Sequence, residues 1–157
     1  MSILNIVTHP SYFLRTKSSV VKKKYIPTGE FQKLVDDMLE TMKHAQGAGL
    51  AAPQVGKSLR IIIATDKGKP FIFINPKLYR KSFKKVKAEE GCLSVPGVWG
   101  TVKRHAAVSL VALDREGSKV KLRATDMFAV VLQHEVDHLN GILFIDKAKK
   151  IGKPPQL

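Results

Sequence analysis

The sequence predicts an α+β fold: small antiparallel or mixed sheets around a central helix, with one amphipathic helix nearer the N-terminus. Three observations carry this. Two stretches, around 28–47 and 125–141, repeat apolar side chains at helical spacing. Most of what lies between them divides into short apolar or alternating runs bounded by Gly, Pro and Asp, as strands and turns do. The order helix, strands, helix is not the alternation that builds a parallel sheet. With 157 residues, no repeat and no linker-like stretch, the chain reads as one domain, 1–157.

In chain order, residues 1–28 read as irregular, punctuated by Pro10 and Pro27. Thr28 is the expected N-cap of the first helix. Phe31, Leu34, Val35, Met38, Leu39 and Met42 form its apolar face, Lys33, Asp36, Asp37, Glu40 and Lys43 its polar one, and Gly47 is expected to stop it. "GAGLAAPQVG" (47–56) reads as a loop with little to pack. "LRIIIAT" (59–65) and "PFIFINP" (70–76) flank "DKGK" as strand, turn and strand. Residues 77–88 read as an exposed basic strand, and "EEGCLSVPG" (89–97) as another Gly/Pro segment. "AVSLVALD" and "KVKLRAT" alternate around "REGS", which predicts a hairpin. Thr125 or Asp126 should cap the second helix. Phe128, Val131, Leu132 and Leu139 mark its buried face and Gly141 its end. "ILFI" reads as a short strand, and the basic tail from about 147, with Pro154 and Pro155, as loose.

Composition narrows the function classes. No apolar run approaches a membrane span, and the first residues are too short an apolar stretch for a secretory signal, so a soluble cytoplasmic protein is expected. One cysteine, Cys92, cannot make an internal disulfide. Lys and Arg total 27 against 13 acids, a net charge of +14, clustered at 22–24, 80–87 and 147–153. Such a surface attracts polyanions, in a cytosol chiefly RNA. There is no aromatic RNP strand and no KH loop, so the charge argues for proximity to RNA rather than a nucleic-acid function.

The chemistry-bearing stretch is "LQHEVDHLNGILF", 132–144. His134 and His138, four apart on a helix, can aim at one ion, and Glu135 falls close enough to take a proton from a water on it. A catalytic site of this type has three protein ligands and an open position. In metzincins the third ligand is a histidine six residues after the second; here that position is Phe144, and no Glu, His or Cys follows His138. The third ligand should therefore lie upstream, and Cys92 is the candidate; His9, His44 and His105 have no partner at ligand spacing. A thiolate weakens the ion's Lewis acidity, so nearby N–H donors must help hold an oxyanion. "GAGLAAPQ" offers backbone amides and Gln54. Asp137 reads as a carboxylate that orients an imidazole or an arginine such as Arg104, or as a surface acid. Trp99 reads as a packing residue of core or rim.

"GAGLAAPQ" (47–54), "EGCLS" (90–94) and "HEVDH" (134–138) together resemble the three motifs of the peptide deformylases, in order and spacing; His9, Pro10, Leu14, Arg15 and "INP" (74–76) resemble that family too. The resemblance implies removal of the formyl group from formyl-methionine at the N-termini of new proteins. It implies Cys92, His134 and His138 as metal ligands and Glu135 as general base and proton donor. It implies Gln54 and the N–H of Leu93 as oxyanion donors, Gly49 in the loop that hydrogen-bonds substrate, and Val130 in the methionine pocket. It implies one divalent ion, Fe²⁺ in cells with Zn²⁺, Ni²⁺ or Co²⁺ as substitutes. Many bacterial members carry a C-terminal helix that docks on the ribosome; the sequence after His138 predicts none, so transient ribosome association is expected to fall to the basic surface. The expected partners are formyl-methionyl nascent peptides, with no DNA, no membrane and a monomeric chain. A different metallohydrolase, such as an aminopeptidase, and an RNA-binding module with a closed metal site are the competing readings. The second needs a fourth protein ligand, and there is no second cysteine.

Overall fold

A computed structural model describes residues 1–153. A short helix, α1 (Tyr12–Arg15), and a 3-10 turn (Lys23–Tyr25) interrupt the N-terminal segment that sequence alone left irregular. Helix α2 spans Gly29–His44, and the Thr28 hydroxyl caps it by accepting the Phe31 N–H. Gly47 is not the residue that turns this helix off. Gln46 takes the left-handed conformation (φ 55°), while the N–H of Gly47 reaches back to the Met42 carbonyl. The second pattern is a Schellman closure with glutamine in the usual glycine place.

Among the described residues eight strands follow: β1 (Gly49–Ala51), β2 (Ile61–Asp66), β3 (Lys69–Tyr79), β4 (Lys85–Cys92), β5 (Val95–His105), β6 (Ala107–Leu113), β7 (Lys119–Thr125) and β8 (Lys149–Gly152). Helix α3 (Asp126–Leu139) lies between β7 and β8 in the chain. The strands form a five-stranded antiparallel sheet in the order β1-β2-β3-β6-β7 and a three-stranded one, β4-β5-β8.

At β2 the larger sheet is buried on both faces, which explains that strand's unbroken apolar run, whereas edge strand β7 keeps one face exposed. Ile61 and Ile63 pack with Phe31, Val35, Met38 and Met42 of α2; Ile62 and Ala64 pack with Ala129, Leu132 and Leu139 of α3. A third cluster, Leu14, Val102, Leu143 and Phe144, joins α1 to the smaller sheet. Helix α3 thus carries its "HEVDH" between two sheets. Its end follows expectation: Gly141 (φ 73°) donates to the His138 carbonyl, and a Cβ there would sit 2.5 Å from the Arg15 carbonyl oxygen.

Four local readings change. The 47–56 segment is not an unpacked loop: β1 and a 3-10 turn (Ala52–Val55) occupy it, and Leu50, Ala51 and Ala52 are fully buried. "EEGCLSVPG" is the tip of the β4–β5 hairpin, where Cys92 pairs with Val95. "ILFI" holds a 3-10 turn (Phe144–Asp146) instead of a strand. The tail is ordered through β8, which pairs with β5; Pro154 and Pro155 lie outside the described residues.

Candidate metal centre

Three elements meet at one point: the β4–β5 hairpin tip, the Ala52–Val55 turn and α3. Cys92 Sγ lies 3.3 Å from His138 Nε2, and His138 Nε2 lies 3.3 Å from His134 Nε2. All three donor atoms fall within 4.8 Å of one another. Tetrahedral bonds of about 2.05 Å to nitrogen give a ligand–ligand edge of about 3.3 Å. The thiol and both imidazoles therefore stand where one divalent ion would bind them, and the chemistry of the set, soft sulfur with two imidazoles, suits iron, zinc, nickel or cobalt. His9, His44 and His105 are not part of this cluster; His105 Nδ1 bonds the Ser82 carbonyl instead.

Electrostatics favour a positive charge at this point. Burial works against a charged His134, but the Cys92 sulfur and the Glu90 and Glu135 carboxylates prevail and raise its pKa to about 10. Burial drives His138 well below its ordinary value, which leaves a neutral ring with a free lone pair.

His134 is held from behind by a network of which the sequence suggested only the Asp137–Arg104 pair. His134 Nδ1 donates to Glu90 Oε1 at 2.8 Å, so its Nε2 faces the ion position. Arg104 grips both oxygens of Glu90 (2.7 and 2.9 Å) and donates to Asp137 at 2.6 Å. Burial pushes the Glu90 pKa up, but hydrogen bonds from Arg104 and His134 outweigh it and bring the carboxylate down to about 2. Asp137 is thus an arginine partner, one of the three readings its position suggested. Glu90 stood inside "EGCLS", but only folding shows that its side chain crosses to α3. Phe144, at the position of the missing histidine, stacks on the His134 ring at 6.2 Å.

Glu135 is 4% exposed, and burial raises its pKa to about 7, near the middle of the physiological range. Its Oε2 is buried without a hydrogen-bond partner among the described residues. The carboxylate lies against Gly49, where a Cβ would stand 2.5 Å from Oε1, so β1 needs glycine there for close approach. Gln54 is oriented by its own oxygen, which accepts the Ala51 N–H at 2.9 Å; its NH₂ then points to Ser94 Oγ at 3.2 Å and toward Cys92 Sγ at 3.5 Å. Buried Ser94 was a second residue without a foreseen role.

A cleft of about 630 Å³ opens over the cluster, with Gly49, Leu93, Trp99, Met127, Val130 and Val131 among its walls. Val130 faces the cleft as expected, and Val131 beside it does too, whereas Leu132 belongs to the core. Trp99 sits at the cleft and covers Gly91, where a Cβ would lie 2.8 Å from its ring. Strand β1 is a sheet edge, and its free side faces this space.

Such a fold and site define a metal-dependent hydrolase with a buried carboxylate to move protons. Residues 3–154 match the family model described as polypeptide deformylase. A peptide deformylase of Desulforudis audaxviator is 42% identical over 154 residues, covering 98% of each chain. One of Halothermothrix orenii is 49% identical over 140 residues, covering 85% of this chain and 90% of the relative. Among solved structures, the class I type b peptide deformylase of Acinetobacter baumannii bound to Met-Ala-Ser superposes with a TM-score of 0.91 at 33% identity, covering 94% of this chain and 99% of that one. The same enzyme bound to actinonin gives 0.90 at 34% identity, with 95% and 100% covered. The chain belongs to the polypeptide deformylase family. It is a metal-dependent amidase that removes the N-formyl group from N-terminal formyl-methionine.

Proposed function

We propose that residues 1–157 act as one catalytic domain in which Cys92, His134 and His138 hold a single divalent ion, Fe²⁺ in the cell and replaceable by Zn²⁺, Ni²⁺ or Co²⁺. The observation that carries this is the convergence of the three donor atoms beside a carboxylate whose pKa is about 7. The chemistry supplied at that point, when the ion is bound, is Lewis acidity toward water and the formyl oxygen. Glu135 takes a proton from the attacking water, whose oxygen adds to the formyl carbon. The N–H₂ of Gln54 and the N–H of Leu93 donate to the oxyanion that forms. Glu135 then returns the proton to the amine as the C–N bond breaks, releasing formate and a free N-terminus.

The nascent peptide lies along the free side of β1, where Gly49 belongs, as an added antiparallel strand. Its methionine side chain enters the apolar end of the cleft against Val130 and Val131. That a related enzyme binds Met-Ala-Ser supports a methionyl peptide as the ligand. The chain works in the cytoplasm as a monomer, without DNA or membrane, and its basic surface meets the ribosome transiently. No helix among the described residues is long and apolar enough to cross a membrane, in keeping with that location.

Formate release from a formyl-Met tripeptide, by protein purified without oxygen and analysed for metal, tests the reading. Stoichiometric formate with one bound ion is expected. Cleavage of the peptide bond without formate would make it an aminopeptidase-like enzyme instead.

A further inference from the structure

The cleft over the metal cluster is not the larger concavity. On the other side of α3, bounded by Gln133, Val136, Asp137 and Asn140, runs a groove of about 890 Å³. Its opposite wall is one face of β4 and β5. Lys77, Lys81, Lys85, Lys87, Lys103 and Lys149 line it, all exposed and without a carboxylate partner among the described residues. Its two acids do little to balance them. Asp137 is committed to Arg104 and Lys147, and only Glu89 remains.

The strand register sharpens this. Lys87 stands directly opposite Lys103 across the β4–β5 pair, with Lys85 opposite His105 two residues away. Like charges in cross-strand register destabilise a sheet, so this face is unfavourable until an anion lies on it. Lysines two apart on a strand repeat at about 7 Å, a pitch that backbone phosphates can follow. Beside the groove, the loop between β3 and β4 presents Phe83 fully exposed between Lys81 and Lys85. That loop is tied down: His105 Nδ1 meets the Ser82 carbonyl at 2.7 Å, and Ser82 N–H donates to the Ala107 carbonyl.

We infer that this groove is an RNA-binding site. Its lysines bind the phosphate backbone, and Phe83 stacks on an unpaired base at its mouth. A concave, polar wall with one exposed aromatic fits a strand of nucleic acid better than a flat lipid surface, which calls for a broad apolar face. Among the described residues the groove itself offers no aromatic beyond His105, so binding is expected to be independent of sequence. The choice of RNA over DNA rests on the deformylase reading, since new N-termini are made beside RNA. The groove chemistry itself does not depend on it.

The test is fluorescence anisotropy of the full chain with a labelled RNA hairpin carrying an unpaired tail, titrated between about 50 and 200 mM salt. Six phosphate contacts predict a log–log salt slope of about −5. K87E/K103E should lower affinity at least about tenfold and reduce the slope by about 2. K22E/K24E, the same charge change outside the groove, should cost less than about threefold. F83A should cost about tenfold on the tailed RNA with the slope unchanged; full affinity would remove the stacking contact. All variants should keep formate release from a short peptide, which also shows that they fold. Equal losses from the two charge reversals would overturn the groove as a site. So would capture by phosphatidylserine vesicles with no RNA binding, or equally tight binding of a DNA duplex. Absence of formate release by the unaltered chain, with RNA binding intact, would instead count against the deformylase reading alone.

Discussion

Replacing Gly49 by alanine tests how closely β1 and α3 must approach. The new Cβ would lie 2.5 Å from Glu135 Oε1 and 2.9 Å from its Cδ and Cγ. Ordinary carbon contacts begin at about 3.5 Å, so something must move by roughly 1 Å. Strand β1 is held by its register with β2, and Leu50 and Ala51 beside Gly49 are fully buried. The carboxylate is therefore the part that yields. Overpacking of this kind costs about 1–3 kcal/mol of stability. A catalytic group displaced by about 1 Å loses about 100-fold in rate, equivalent to about 3 kcal/mol of barrier. The expected result is a kcat/KM for formate release about 100-fold lower, with one metal ion still bound, because the atoms nearest the new Cβ all belong to Glu135 and not to a ligand. Gly29→Ala is the control: a Cβ there meets nothing within 4 Å, and neither rate nor stability should fall. A Gly49→Ala enzyme within about threefold of the parent, its metal intact, would refute the close-approach argument.

Glu135→Gln should keep fold and metal while activity drops by about 10²–10⁴, read by formate release and metal analysis. A carboxylate raised to about 7 keeps its proton in the folded state while the unfolded chain releases it near 4.5, so stability declines as pH rises from 4.5 to 7. Metal-free Glu135→Gln should therefore melt above the metal-free parent at pH 8, and a lower melting temperature would count against the buried-carboxylate argument. Glu90→Gln leaves Arg104 buried without its main partner; a loss of about 3–5 kcal/mol and a metal affinity about 10–100-fold weaker are expected by denaturant titration and competition with a chelator. Glu90 itself, lowered to about 2, contributes stability above pH 4.5 that is lost as pH falls toward 2, about 3 kcal/mol across that window. Chelation should abolish formate release and lower the melting temperature, both reversed by adding Fe²⁺ or Ni²⁺; activity that survives complete metal removal would exclude the proposed mechanism.

Much of the site was legible because its signals are local. Two histidines four apart, a glutamate between them and a capping glycine read out one helix face from spacing alone. The absence of a Glu, His or Cys after His138 pointed to Cys92. The helix caps were partly legible: Thr28 and Gly141 behave as written, whereas Gln46 assumes the left-handed turn that Gly47 was expected to supply. Glycine tolerates that conformation but is not required for it, and composition cannot say which neighbour adopts it. The "GAGLAAPQ" segment misled because small residues look like loop in isolation. In the fold they are small so that β1 can lie close to α3 and Glu135 can rest on Gly49.

Periodicity, ligand spacing and charge count, all properties of neighbours along the chain, were enough to establish an α+β domain, a metal-binding helix with its base, and a basic surface. Folding alone decided that Glu90 bridges His134 to Arg104, that Gln54 turns its amide toward Cys92, and that Lys87 faces Lys103 on the wall of a second groove. Each of these joins residues far apart in sequence through side-chain direction and strand register, and neither quantity exists until the sheets have paired and closed around α3.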